Sequence, residues 1–381
     1  MIVMMICHYD DTNSSGGLDK QARLLSHTLR DGGEDVIMLA STRKYARAGW
    51  TDDRGVPVRY FWTYASPQVS GRYLPAALIW AVQLFFWVWR NRAKIDVIHG
   101  HQIRIHAFVG ALANRFFGIP AILKSATGGE GADIKAIGSR KYFGAPGRNF
   151  VIRHTDIFIA TTKSIEEDLL RFNVPAEKIR IIPNGLPLAP PAPGAPAEVR
   201  SRRALFLGRL APDKNAPELA RAACELADGA SLTVDFYGRG RELPQLEAAL
   251  AAAGNPAVTY RGFVDHPGTI LRDYGYLLLP SNAEGLSNAM LEAMAHGVVP
   301  VATRVSGCVD HITPGITGFF FDSISHEDLL RGLRLVPATS VEEWQRMSAA
   351  AETYARAHFD ISNVAGSYRQ LYGHLSGGQA A

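Results

Sequence analysis

Short apolar runs alternate with helix-length amphipathic stretches along most of this chain. Runs at 2–7, 35–39, 97–99, 121–124, 157–160 and 179–182 are rich in Ile, Val and Leu and do not alternate with polar residues. Unbroken apolar strands are buried on both faces, as in a parallel sheet covered by helices. Between them, 19–30, 105–117 and 164–172 carry the spacing of amphipathic helices. Repetition of strand and helix implies a doubly wound α/β domain. A second series comes after it, with strands expected at 203–207, 232–236, 258–260, 276–279, 299–303 and 318–321. Its helices are expected at 216–226, 242–252 and 287–296. Five prolines fall within the eleven residues 186–196, between the two series. Such a stretch continues neither a helix nor a central strand. It divides the chain into a first domain, 1–186, a linker, 187–197, and a second domain, 198–359.

One segment departs from the pattern. Residues 73–89 read YLPAALIWAVQLFFWVW, with Gln83 the only strongly polar side chain. Arg72 precedes the run; Arg90, Arg92 and Lys94 come after it. Seventeen residues lie at the short edge of a membrane span, and Pro75 shortens the usable helix. Aromatics with flanking cations also suit a helix lying in a membrane interface. The alternative is a helix packed on the first sheet.

Composition narrows the class. The chain has 381 residues, 47% hydrophobic and 20% charged, which fits two domains and no fibrous or disordered architecture. Cys7, Cys224 and Cys308 show no ligand spacing, so a reducing compartment is expected and a disulfide framework is not. The first strand lacks the basic start and cleavage site of a secretion signal, and the expected location is cytoplasmic. Residues 1–185 hold 24 Lys/Arg against 16 Asp/Glu, and the remainder 16 against 20. A basic first half favours an anionic partner. No nucleic-acid motif is present, so an anionic membrane surface or a phosphate-linked acceptor is the better fit, with the chain peripheral on the inner face of a membrane.

The densest chemistry lies between Asn282 and Gly297. Glu284 and Glu292 stand eight positions apart. Between them, the main-chain NH groups of Gly285, Leu286 and Ser287 open a helix and lack partners within it. A helix start attracts anions, and carboxylates suit sugar and ribose hydroxyls. A nucleotide sugar satisfies both. Gly208, Arg209 and Lys214 come just after the strand at 203–207, where ligands of open α/β sheets bind. Gly238-Arg239-Gly240 starts like a dinucleotide fingerprint but has Leu243 where the third Gly or Ala belongs. No Gly-Lys-Ser/Thr triplet exists, which excludes a P-loop.

The Glu284–Glu292 segment, with Gly285, Glu292-Ala293-Met294-Ala295 and Gly297, resembles the signature of the retaining glycosyltransferases of family 4. Phe206 to Asn215 resembles that family's second signature. The resemblance implies the GT-B fold: two Rossmann-like doubly wound domains facing across a cleft, the first binding acceptor and the second the nucleotide-sugar donor. It also implies a closing helix, 360–375, joined to the first domain; residues 376–381 read as a frayed end. Glu292 would bind the ribose, Glu284 would face the donor sugar, and the NH groups of Leu286 and Ser287 would bind the diphosphate. Arg209 and Lys214 would take the charge of the leaving group without a metal. The loop of Arg261, Gly262, Phe263 and Val264 would contact the base, with UDP favoured and GDP possible. No cofactor is required.

In the first domain, Ser15-Gly16-Gly17-Leu18 matches the family's Gly-Gly pair, and Gly17 would approach the donor phosphate. His99-Gly100-His101 matches its His-x-His strand; His101 would shape the acceptor cavity, whereas His99 is as well explained by packing. The pair lacks a third metal ligand. Asn184-Gly185 matches a hinge-entry motif. One departure stands out: many relatives carry a His near the reacting sugar, and Ala126 occupies that place. Lys124, Thr127 and Glu130 would serve the acceptor side instead. The expected activity is hexosyl transfer to a hydroxyl, with a lipid-linked saccharide of envelope or exopolysaccharide synthesis as acceptor. The competing readings are a nucleotide-sugar epimerase on the same fold and a non-catalytic nucleotide-sugar-binding protein.

Overall fold

The apolar runs form strands of two separate sheets. The structure is a computed structural model and describes residues 1–6, 17–64, 73–129, 132–139, 143–188, 194–227 and 232–377. It resolves into two compact units, Met1–Pro187 with the chain from Ile361 onward, and Leu188–Asp360.

The first unit is built on strands β1 (Ile2–Ile6), β2 (Val36–Thr42), β3 (Gly49–Asp53), β4 (Val56–Trp62), β5 (Val97–His101), β6 (Ala121–Lys124), β7 (Ile157–Ala160) and β8 (Ile179–Ile181). They lie in the order β3-β4-β2-β1-β5-β6-β7-β8. Six of the strands lie in the expected runs. The hairpin β3–β4 was not expected, and β3 is antiparallel to β4 at the sheet edge. Helices α1 (Gly17–Asp31), α2 (Leu74–Asn91), α3 (Ile105–Phe117), α4 (Asp133–Ile137), α5 (Gly144–Arg153) and α6 (Lys163–Arg171) connect the strands.

Alternate residues of each strand enter different cores. Val3, Leu39 and Ile98 pack under α2, α3, α5 and α6. Ile2, Met4, Met38 and Val97 pack against α1 and the terminal helix, Ile361–Gly377. Gly185 receives that helix: a Cβ there would sit 3.0 Å from the Ile361 Cα. Gln21 holds the same glycine from both sides, donating to its carbonyl at 2.9 Å and accepting from its NH at 3.0 Å. The Asn184-Gly185 motif is thus a structural seat.

The second unit contains β9 (Arg203–Leu207), β10 (Thr233–Tyr237), β11 (Val258–Gly262), β12 (Tyr276–Leu279), β13 (Val299–Thr303) and β14 (Phe319–Phe321). All pair in parallel, in the order β11-β10-β9-β12-β13-β14. Helices α7 (Ala197–Arg200), α8 (Ala216–Ala227), α9 (Leu243–Ala253), α10 (Gly268–Leu271), α11 (Asn288–Ala295), α12 (Ser306–Val309), α13 (His326–Ala338) and α14 (Val341–Phe359) complete it. The terminal helix of the first unit is α15. Strand order reverses direction between β9 and β12, which makes the carboxyl ends of these neighbours the topological switch point, where open α/β sheets bind their ligands.

The apolar run 73–89 becomes α2, and it is two-faced. Ala76, Ala77, Trp80, Leu84 and Val88 are buried on the sheet, while Leu78, Ile79, Val82, Phe86 and Trp89 face solvent. Among the described residues no helix is long and apolar enough to cross a membrane, so the spanning alternative is set aside.

Candidate active site

The loops after β9 and β12 meet at the switch point and bring Lys214 and Glu284 together. Lys214 ends a tight turn, Pro212–Lys214, whose leading proline sets φ for the first step. Asn215 then adopts φ 50°. Its amide donates to the Pro280 carbonyl at 2.7 Å, and the Asn282 NH donates to the Asp213 carbonyl at 2.9 Å. The two loops are thereby stitched into one surface. Lys214 Nζ lies 2.5 Å from Glu284 Oε1 and 3.6 Å from Asp213. Ser281 Oγ donates to the same Glu284 oxygen at 3.0 Å. Both members of the ion pair are largely withdrawn from water, with 12% and 14% of their side chains exposed. Arg209 stands at the solvent edge, 3.7 Å from Asp213.

The expected helix at 287–296 begins at Asn288. Ser287 is its cap, and its hydroxyl accepts from the Met290 NH at 3.4 Å. Leu286 and Ser287 therefore precede the first turn. Among the described residues the NH groups of Gly285, Leu286 and Ser287 have no hydrogen-bond partner. Glu292 lies in the second turn, partly exposed.

Sequence reasoning missed what braces this loop. Ser306 Oγ donates to the Glu284 carbonyl at 2.5 Å, and Thr303 Oγ1 to the Ser281 carbonyl at 2.5 Å. A Cβ on Gly307 would lie 1.6 Å from the Gly285 carbonyl oxygen. The signal available was the small pair Ser306-Gly307 shortly after a buried strand, which marks close backbone approach.

The Gly238-Arg239-Gly240 turn has a different use from dinucleotide binding. The Gly238 NH donates to the Gly262 carbonyl at 2.8 Å, and Leu210 NH to the Arg239 carbonyl at 3.0 Å. Cβ atoms on Gly238 and Gly240 would lie 1.9 Å from the Gly208 oxygen and 2.1 Å from the Leu210 oxygen. Only glycine fits this turn against Gly208-Arg209-Leu210. The Arg239 guanidinium stacks 4.1 Å over the exposed Phe263 ring, beside Val264.

In the first unit, β5 pairs His101 with Lys124 of β6. His99 and His101 stack with ring centroids 4.3 Å apart. His99 Nδ1 meets Tyr372 Oη at 2.8 Å, which makes it a packed core residue. Burial pushes its pKa down to about 3, with Lys124 adding to the effect. His101 is buried too, and its ring nitrogens have no partner among the described residues. Its pKa is driven well below the ordinary histidine value, by burial first and then by His99, Lys124 and His106. Burial pushes Lys124 down to about 8. The next loop is ordered by two carboxylates that sequence reasoning did not single out. Asp133 accepts from the Ala126 NH at 2.8 Å and from Thr127 Oγ1 at 3.0 Å, and Asp168 accepts from the Gly129 NH at 2.6 Å. The Thr127 hydroxyl is therefore held by Asp133 as part of the loop's own order. Glu130, Ser15 and Gly16 lie outside the described residues. Gly17 begins α1.

A family model described as "Glycosyl transferase 4-like domain" matches residues 16–185, and one described as "Glycosyl transferases group 1" matches residues 201–336. This chain is a group 1 glycosyltransferase of the GT-B fold. A D-inositol 3-phosphate glycosyltransferase of Acidothermus cellulolyticus is 26% identical to it, over 81% of this chain and 75% of that one. Sucrose-phosphate synthase from Thermosynechococcus elongatus shares the fold with a TM-score of 0.78 at 18% identity, over 98% of both chains. Anabaena HepE in complex with UDP and glucose superposes with a TM-score of 0.72 at 16% identity, over 97% and 98% of the two chains. The Lys214–Glu284 surface of this glycosyltransferase lies within the group 1 region, and the His101–Lys124 cluster within the 4-like region.

Proposed function

We propose that this glycosyltransferase moves a hexosyl unit from a nucleoside diphosphate sugar to a hydroxyl with retention at the anomeric carbon and without a metal. The Lys214–Glu284 pair at the switch point, beside three unpartnered main-chain NH groups, carries the reading. The NH groups of Leu286 and Ser287, with Arg209 and Lys214, bind the diphosphate. Glu292 receives the ribose hydroxyls. With Glu284 Oε1 held by Lys214 and Ser281, Oε2 is the oxygen left to the sugar. Phe263 and Val264 border the base. UDP is the favoured carrier, as in the HepE complex, and GDP the alternative.

As the bond from the anomeric carbon to the diphosphate breaks, charge grows on the leaving oxygen, and the two cations and the amides stabilise it. The acceptor oxygen bonds to the same face of that carbon, and its proton passes to the departing diphosphate. The first unit contributes His101, Lys124 and Thr127 toward the acceptor. A lipid-linked saccharide is the acceptor class this reading favours, with the enzyme peripheral on a cytoplasmic membrane face. Lys214→Ala should slow turnover about 10²–10³-fold, as loss of one charge-stabilising donor does elsewhere. Sugar-donor thermal shifts and UDP release in single turnover measure this. An unchanged rate, or no stabilisation by UDP, GDP or ADP sugars, would overturn the assignment.

A further inference from the structure

The exposed ridge of α2 continues onto the edge hairpin. Leu78, Val82, Phe86 and Trp89 recur at helical spacing, and Val82, Phe86 and Trp89 are 53%, 57% and 48% exposed. Trp50 of β3 meets α2 edge-on at Trp87, with ring centroids 6.2 Å apart. Trp62 of β4 is also exposed, and its carbonyl accepts from the Gln83 amide at 3.4 Å. Tyr45, on the connection into β3, abuts Trp62 with centroids 5.9 Å apart. The hairpin and the helix that comes after it thus present one aromatic surface. An apolar surface of this kind on a folded unit calls for something to cover it.

The charges around it say what covers it. Helix α2 contains no Asp or Glu. Arg90, Arg92 and Lys94 lie at and beyond its C-terminal end, and the Arg92 guanidinium lies 5.9 Å over the Trp89 ring. Arg43 and Lys44 are exposed at the entry to Tyr45, and Arg59 lies 5.8 Å over Trp50. Tryptophan and tyrosine prefer the headgroup level of a bilayer, and arginine and lysine prefer its anionic phosphates. We infer that α2 and the β3–β4 hairpin together form a docking surface for an anionic lipid bilayer, with α2 lying in the plane of the interface. This rests on the reading of a membrane-borne acceptor and identifies the residues that would hold the enzyme there.

The test is co-sedimentation of the whole chain with phosphatidylcholine vesicles, with and without phosphatidylglycerol. Binding should be about tenfold or more tighter to the anionic vesicles and fall with added salt. The double variant Phe86→Ser/Trp89→Ser should lose about tenfold or more in affinity for both vesicle types. Arg90→Glu/Arg92→Glu should lose the preference for phosphatidylglycerol. All four side chains lie on the outer face of α2 and its end, so melting temperature and donor-induced stabilisation should stay at wild-type values. Wild-type protein that remains in the supernatant, or variants that bind as it does, would overturn the inference. So would a concentration-dependent dimer that Phe86→Ser/Trp89→Ser dissolves, since the face would then join two copies. Donor stabilisation and UDP release report on the transferase reading independently of any vesicle result.

Discussion

A carboxylate and an ammonium 70 positions apart pair at the switch point, and their spacing alone does not announce the contact. What made both legible was local context: Glu284 precedes a glycine turn and a helix, and Lys214 comes after the strand that ends at Gly208. Their direct pairing depends on the strand order, which sets β12 beside β9. The bracing groups Ser281, Thr303 and Ser306 were not legible, because a hydroxyl's partner depends on which loops the fold brings near. Gly307 offers the sharpest residue-scale prediction. A methyl group there collides with the Gly285 carbonyl, so Gly307→Ala should push the 284–287 loop out of position. Affinity for a nucleoside diphosphate, measured by calorimetry, should fall about tenfold or more. The fold should persist, as read from circular dichroism.

Among the elements, twelve strands and six of the helices were legible, because strands of a covered parallel sheet need apolar runs. The β3–β4 hairpin was not. Its turn uses Arg54 at φ 53° and Gly55 at φ 81°, the left-handed pair of a tight hairpin, but with arginine where Asn or Asp usually signals it. Its edge strand is mostly solvent-facing, so no apolar run marks it. The ordering of the 124–129 loop was hidden for another reason: Asp133 and Asp168 reach it from helices α4 and α6. Charge also joins elements. His326, which opens α13, meets Glu218 at 2.9 Å and Glu225 at 2.8 Å, both on α8. The two glutamates, Glu225 first, raise its pKa above the ordinary histidine value. A raised pKa gives stability that is complete below the unfolded value and is lost as pH rises through the folded one. The melting temperature should therefore decline slightly from acid to mildly alkaline pH, and His326→Gln should flatten that part of the profile. The partners are partly exposed, so added salt should shrink the effect.

At the scale of the molecule, the division near 187 was legible from proline density, since no packed element tolerates it. The return of the last helix to the first unit came from resemblance rather than pattern; nothing in the periodicity of 361–377 says which core it serves. Val364, Ala365, Tyr368 and Tyr372 settle it by packing against β1, β2 and α1 residues. A fragment of residues 1–187 should then expose that sheet face and bind a hydrophobic dye. Supplying a peptide of residues 361–377 should reduce the dye signal, whereas the unit 188–360 should melt cooperatively by itself. Near-ultraviolet circular dichroism and calorimetry would show both outcomes.

Such a closing helix sets an order on biosynthesis. The amino-terminal unit lacks part of its own interior until the codons for residues 361–377 are read. The second half, contiguous in sequence, is free to mature before it. A nascent chain of this protein should thus depend on protection of its amino-terminal half until the segment from Ile361 has emerged, and a stop codon shortly before Ile361 should be as damaging as a deletion deep inside that earlier half.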